Sequence, residues 1–215
     1  MSVYYPVLLS LSGRRCLVVG GGTVAARKMT GLLEAGATIR LVAPSLTRTV
    51  EQAAEAGSIE LILASYEERH LEGVSLVFAA TDIRSVNAKV VSDSRLHGIP
   101  VNCADLQEQG DFIVPATFRR GDLCISVSTG SASPKLAARI RSELDARFGN
   151  EYADYVRLLG EMRQYLKGRS CSAEKRDLAL ERLLDAEQEL LGILVETGYA
   201  EARDEAIGVV ERALE

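Results

Sequence analysis

Short apolar runs alternate with stretches of helical period through the first hundred residues. Residues 16–19, 38–42, 59–63, 75–80 and 100–103 are rich in Val, Leu, Ile, Ala and Cys. That is the pattern of strands buried on both faces. Between the first two, apolar positions 25, 29, 32 and 33 form one face of a helix over residues 23–35. Gly36 stands where its C-terminal cap belongs. Ser45 is placed to cap a helix that reaches about residue 56, with Leu46, Val50 and Ala53 inward and Gly57 as its stop. Residues 67–71 read as a short helical or looped segment. A further helix is predicted over 85–97, with Gly98 as its stop. Strands alternating with helices in this way predict an α/β fold, a Rossmann-like doubly wound parallel sheet. The opening run 3–9, broken by Pro6, reads as an edge strand or as a lead-in covering the sheet.

The pattern changes near residue 112. Two strands are predicted over 112–118 and 123–128, joined in a hairpin through Arg119, Arg120, Gly121 and Asp122. A loop of small residues, 129–134, leads to a helix over 134–148. Ser133 is placed as its N-cap and Pro134 at its first position. Leu136, Ile140, Leu144 and Phe148 are expected to be buried, with Lys135, Arg139 and Ser142 on another face. Residues 150–215 carry Leu at helical spacing (178, 180, 183, 184, 190, 191) and predict three or four helices, broken near 168–172 and at Gly198. The expected organisation is a Rossmann domain over 1–115, a small α+β region over 116–150 and a helical C-terminal domain over 151–215.

Composition narrows the class. At 47% hydrophobic and 26% charged residues the chain is ordinary for a soluble globular protein. No run approaches a membrane span, and the N-terminus lacks a basic region followed by an apolar core. The four cysteines, at 16, 103, 124 and 171, show neither metal-ligand nor disulfide spacing and read as free thiols of a reducing compartment. The expected location is the cytoplasm, without membrane attachment. His70 and His97 are the only histidines and lie far apart in sequence, so no histidine-based metal site is expected. The net charge is −5, yet residues 116–150 hold six Lys/Arg against three Asp/Glu. A basic island in an acidic chain points to a local anionic ligand rather than to nucleic acid, or arises by chance.

The chemistry concentrates at predicted strand ends. Gly20-x-Gly22-x-x-Ala25 is the dinucleotide-binding fingerprint with alanine in third place. Gly20 serves the tight turn, Gly22 admits a pyrophosphate to the backbone, and Ala25 lets helix and strand pack closely. A lone glycine turn is the alternative; the strand before it and the helix after it favour the nucleotide. Ligands of open α/β sheets lie beyond the carboxyl ends of the strands. That rule selects Gly20, Gly22, Thr23 and Val24; Ala43, Pro44 and Ser45; Thr81 and Asp82; and residues 102–105. Asp105 can take a proton, hold a metal ion or simply cap its loop. Asp82 can equally cap the next helix. The second strand ends without the acidic residue that usually binds ribose, and Arg48 leaves NADP open beside NAD. Arg119, Arg120, Lys135, Arg139 and Arg147 can meet ligand carboxylates or serve as solvated surface. Hydroxyls of the 128–133 loop, Ser128 among them, can hold a carboxylate or cap the helix. Cys103 has no nearby histidine in sequence to activate it.

Taken together, Gly20-Gly21-Gly22-Thr23-Val24-Ala25-Ala26-Arg27-Lys28, Ala79-Ala80-Thr81-Asp82 with Asn87, Val101-Asn102-Cys103-Ala104-Asp105, Phe112-Ile113-Val114-Pro115 and Val127-Ser128-Thr129-Gly130-Ser131-Ala132-Ser133-Pro134 resemble the precorrin-2 dehydrogenase family, the dehydrogenase and ferrochelatase module of sirohaem synthase. The resemblance covers about residues 3–165; the tail beyond is weakly matched. It implies NAD-dependent oxidation of precorrin-2 to sirohydrochlorin, followed in some members by Fe²⁺ insertion. It places the essential aspartate on Asp105, and cofactor contacts on Gly22, Thr23, Val24, Pro44, Ser45 and Thr81. It implies a homodimer in which the region after 115 exchanges contacts, and a tetrapyrrole with eight carboxylates. Arg119, Arg120, Ser128, Lys135 and Arg139 are then the expected substrate contacts. No methyltransferase-sized domain is visible in these residues, so the fused three-activity enzyme is not expected. A different class stays open: an NAD-sensing regulatory subunit that binds nucleotide without turnover.

Overall fold

The computed structural model describes residues 4–105 and 107–215. The chain divides into two compact units, Met1–Val114 and Pro115–Glu215. The first holds five parallel strands, β1 (Arg15–Val19), β2 (Thr38–Val42), β3 (Glu60–Ile62), β4 (Leu76–Ala79) and β5 (Val101–Cys103), in the order β3-β2-β1-β4-β5. Its helices are α1 (Thr23–Glu34), α2 (Arg48–Glu55) and α3 (Arg84–Leu96), with short 3₁₀ segments at Glu68–Leu71 and Gln107–Gln109.

The apolar runs are continuous because both faces of this sheet are covered. Cys16, Val18, Ile39, Leu41, Leu76 and Phe78 point to the face under α1 and α2, where Ala25, Met29, Leu32 and Val50 meet them. Leu17, Val19, Val42, Val77 and Ala79 point to the other, against Val90 and Val91 of α3 and Tyr66 and Leu71. Each fully buried Leu or Val contributes about 1.5–3 kcal/mol relative to exposure.

Several expected boundaries move, for physical reasons. The lead-in forms no strand: residues 4–11 have no regular structure, Val3 lies outside the described residues, and Tyr5 is 86% exposed. α2 begins at Arg48 behind Thr47, not behind Ser45. Residues 45–47 are tied to the glycine turn instead, since the Thr47 N–H donates to the Gly21 carbonyl at 2.8 Å. Residues 112–115 are not in a strand. The Phe112 carbonyl accepts a hydrogen bond from Asn102 Nδ2 at 2.9 Å, and its ring meets Phe78 edge-on at 5.5 Å. These contacts hold it against the parallel sheet.

In the second unit, β6 (Ala116–Arg120) and β7 (Leu123–Val127) form an antiparallel pair. Arg119 and Arg120 therefore lie in the strand, leaving only Gly121 and Asp122 for the turn. α4 (Pro134–Arg147) begins as predicted, with Ser133 Oγ accepting from the Leu136 N–H at 3.3 Å. Its expected apolar face is not buried: Ala137 is the only fully buried α4 residue, and Leu136 is 39% exposed. A two-stranded sheet is too narrow to cover a helix of this length. α5 (Glu151–Lys167), α6 (Ala173–Asp185), α7 (Glu187–Glu196) and α8 (Tyr199–Leu214) enclose a core that includes Leu158, Met162, Leu166, Leu183, Leu190 and Val210. Leu178 and Leu184 stay exposed. The break at Ala186 carries no glycine or proline to announce it.

Candidate functional site

The site is built where the strand order reverses, between β1 and β4. Gly20 leaves β1 at φ +124°, a backbone conformation that L side chains rarely adopt. A Cβ there would stand 2.3 Å from the Ala80 carbonyl oxygen. A Cβ on Gly21 would meet the Ser45 carbonyl oxygen at 2.1 Å. These two glycines let neighbouring segments close in, and hydrogen bonds tie four strand ends together. The Gly20 N–H reaches the Val42 carbonyl at 2.9 Å, the Ala80 N–H reaches Val19 at 2.8 Å, and the Ala104 N–H reaches Ala79 at 2.9 Å.

Gly22 differs. A Cβ on it meets nothing within 4 Å, and no side chain caps α1 behind it. Gly22, Thr23 and Val24 are exposed. The N-terminal amides of α1 and the positive end of its dipole thus open on a cradle that a side chain would fill. This fits the pyrophosphate of a dinucleotide. Ala43 is buried at the end of β2, and Pro44 and Ser45 are exposed beside the turn.

Thr81 follows β4 in a turn held by Asn87. The Asn87 Oδ1 accepts from the Thr81 N–H at 3.1 Å and from Thr81 Oγ1 at 2.8 Å, and its Nδ2 donates to the Thr81 carbonyl at 2.8 Å. Asp105 follows β5. Cys103 Sγ donates to Asp105 Oδ1 at 3.0 Å. Burial pushes the Asp105 carboxyl up, but hydrogen bonds from Cys103, its own backbone and Asn87, with the charge of Arg84, outweigh it and hold the group below its ordinary value. An ionised carboxylate at the carboxyl end of β5 can accept a proton. Asp82 is exposed and takes no part in this network among the described residues.

The second unit places the remaining candidates differently from one another. Arg119 and Lys135 are exposed. Arg139 is exposed beside Glu143 at 3.7 Å. Ser128 Oγ accepts from the Gly130 N–H at 3.1 Å. Arg120 is engaged: its Nη2 donates to Asp145 at 2.7 Å and its guanidinium stacks over the buried Phe118 ring, as does Arg141.

Two residues had no assigned role in the sequence. Asn87 is 1% exposed on the inward face of α3; its signal was a polar residue one turn ahead of the apolar Val90 and Val91. Lys28 is the other. Its ammonium lies 5.9 Å from the Phe78 ring centre. Burial, with the charge of Arg27, lowers its pKa to about 8. Among the described residues, no group of three or more His, Cys, Asp or Glu side chains is placed to hold a metal ion, and no helix is long and apolar enough to cross a membrane.

Residues 7–116 match the family described as "Putative NAD(P)-binding". A siroheme synthase of Methylococcus capsulatus is 37% identical, over 94% of this chain and 45% of its own length. A siroheme synthase of Nitrosococcus oceani is 35% identical, over 99% of this chain and 44% of its own. The chain thus spans under half the length of these relatives. Among solved structures, "SirC, precorrin-2 dehydrogenase" matches with a TM-score of 0.70 and 30% identity, covering 97% of this chain and all of that one.

Proposed function

This chain belongs to the NAD(P)-binding family that includes those siroheme synthases and SirC, and on that premise we propose that it oxidises precorrin-2 to sirohydrochlorin with NAD⁺. The observation that carries the proposal is the pairing of an open Gly22 cradle with an ionised Asp105 on the same sheet edge. NAD⁺, when bound, supplies the hydride acceptor. Gly22, Thr23 and Val24 would hold its pyrophosphate through main-chain amides, with Ala43, Pro44, Ser45 and Thr81 beside it. The reaction removes two hydrogens from precorrin-2. One would leave with the electron pair as hydride to that acceptor; the other leaves as a proton, which the Asp105 carboxylate accepts. Water then carries that proton away and Asp105 returns to its ionised state.

The same reading assigns the substrate's carboxylates to Arg119, Lys135, Arg139 and Ser128. Arg120 serves Asp145 and so braces the hairpin. A homodimer is part of the proposal. It is supported by the outer edges of the two-stranded β6–β7 sheet, which pair with no further strand among the described residues, and by the exposed Leu136 of α4. The free thiols of Cys16, Cys124 and Cys171 agree with a cytoplasmic setting.

Replacement of Asp105 tests the chemistry. Asp105→Ala retains NAD⁺ affinity by calorimetry and loses turnover by about 10²–10⁴-fold. Full turnover in that variant removes Asp105 from the mechanism.

A further inference from the structure

We propose that Cys103 is a positioning residue whose thiol aims the Asp105 carboxylate; this rests on the reading of Asp105 as proton acceptor. Cys103 Sγ donates to Asp105 Oδ1 at 3.0 Å. Cys103 is fully buried, whereas Asp105 is exposed. The carboxylate thus stands at the surface with one oxygen anchored to a side chain of the core.

The anchor is rigid because β5 is held from both sides. Cys103 lies opposite Ala79 in the register with β4, and the Ala104 N–H reaches the Ala79 carbonyl at 2.9 Å. On the other side the chain returns past β5 at Gly110. A Cβ there would stand 3.1 Å from both the Cys103 nitrogen and the Val101 carbonyl oxygen. Asp111 ties the return down: its N–H donates to the Val101 carbonyl at 2.8 Å, and its Oδ2 accepts from the Val101 N–H at 3.0 Å. The Cys103 side chain belongs to the core cluster of Ala79, Val90, Val91 and Val101. A thiol suits that place. It packs as a small apolar group yet keeps one weak donor for the carboxylate, where a hydroxyl would cost more to desolvate. Without this bond the Asp105 side chain rotates more freely, and transfer to a positioned base is sensitive to such misplacement. The thiol itself stays protonated throughout; Asp105 alone accepts the proton.

The test reads the thiol directly, through the S–H stretching bands in the infrared spectrum of the full chain. In the unaltered protein one S–H band lies at the low frequency of a thiol bonded to a carboxylate. It moves up in Asp105→Asn, whose amide oxygen is a weaker acceptor, and it is missing from Cys103→Ala and Cys103→Ser. In Cys103→Ala kcat falls about three- to tenfold, while KM for precorrin-2 and NAD⁺ affinity hold. Cys103→Ser keeps a donor and recovers most of that loss. A role in packing alone predicts the opposite order, since serine sets a hydroxyl among apolar side chains. The absence of any S–H band that responds to Asp105→Asn overturns the inference, even if neither Cys103 variant folds. So does a folded Cys103→Ser that turns over no faster than Cys103→Ala. The infrared spectra need no substrate. A responding band without precorrin-2 turnover in the parent counts against the proposed function and leaves the thiol–carboxylate bond standing; turnover without a responding band does the reverse.

Discussion

Gly20 and Ala80 approach so closely that a Cβ on Gly20 would lie 2.3 Å from the Ala80 carbonyl oxygen. This contact brings the ends of β1 and β4 together where the order of the sheet reverses. Gly20→Ala must shift the Ala80 main chain and strain its own backbone. It is expected to lower unfolding free energy by about 1–3 kcal/mol in urea titration and to abolish NAD⁺ binding. A variant of parental stability would mean that the strand ends can separate freely.

Gly22 predicts the opposite separation of effects. Aspartate is a favourable N-cap, and a side chain at Gly22 meets no neighbour within 4 Å. Gly22→Asp should therefore keep or slightly raise the urea midpoint. Its carboxylate occupies the pyrophosphate cradle, and calorimetry should show NAD⁺ affinity reduced at least about tenfold. Unweakened binding would place the nucleotide elsewhere.

Lys28 links stability to pH. Its pKa falls from the ordinary 10.5 to about 8 on folding. Between those values the unfolded chain binds a proton that the folded one does not, so this group's contribution to stability rises with pH across the window. Below pH 8 the cost of holding the ammonium in place is complete. Lys28→Met should stabilise at pH 7 by on the order of 2 kcal/mol, with the gain shrinking from pH 8 toward 10.5. Chemical denaturation at several pH values reads this out; a gain independent of pH counts against it.

The basic residues of the second unit should fall into two groups. Arg120 is half-buried against Asp145 and Phe118, so Arg120→Ala should cost about 1–3 kcal/mol of stability. Arg119, Lys135 and Arg139 are exposed. Their replacement by glutamine should leave melting behaviour and NAD⁺ affinity unchanged and raise KM for precorrin-2 several-fold. An unchanged KM in the triple variant removes them from substrate binding.

What was legible in the sequence followed the strength of the local signal. The strands of the first unit were readable because burial on both faces makes them continuously apolar, and the glycine turn because its conformation excludes other residues. The start of α2 was not, since Ser45 has the chemistry of a cap but its carbonyl is packed against Gly21. α4 was overread, because helical spacing of Leu136, Ile140 and Leu144 cannot reveal how wide a surface lies beneath. Asn87 was visible within a family motif without a role. It holds the Thr81 turn by three hydrogen bonds, a pairing that only the folded chain reveals.

The central claim is tested most directly by mixing the unaltered protein with precorrin-2 and NAD⁺, without metal, and following tetrapyrrole absorption and NADH together. Catalytic conversion to sirohydrochlorin is expected, with one NADH formed per tetrapyrrole oxidised. NAD⁺ binding without either product would contradict it and favour a regulatory nucleotide sensor.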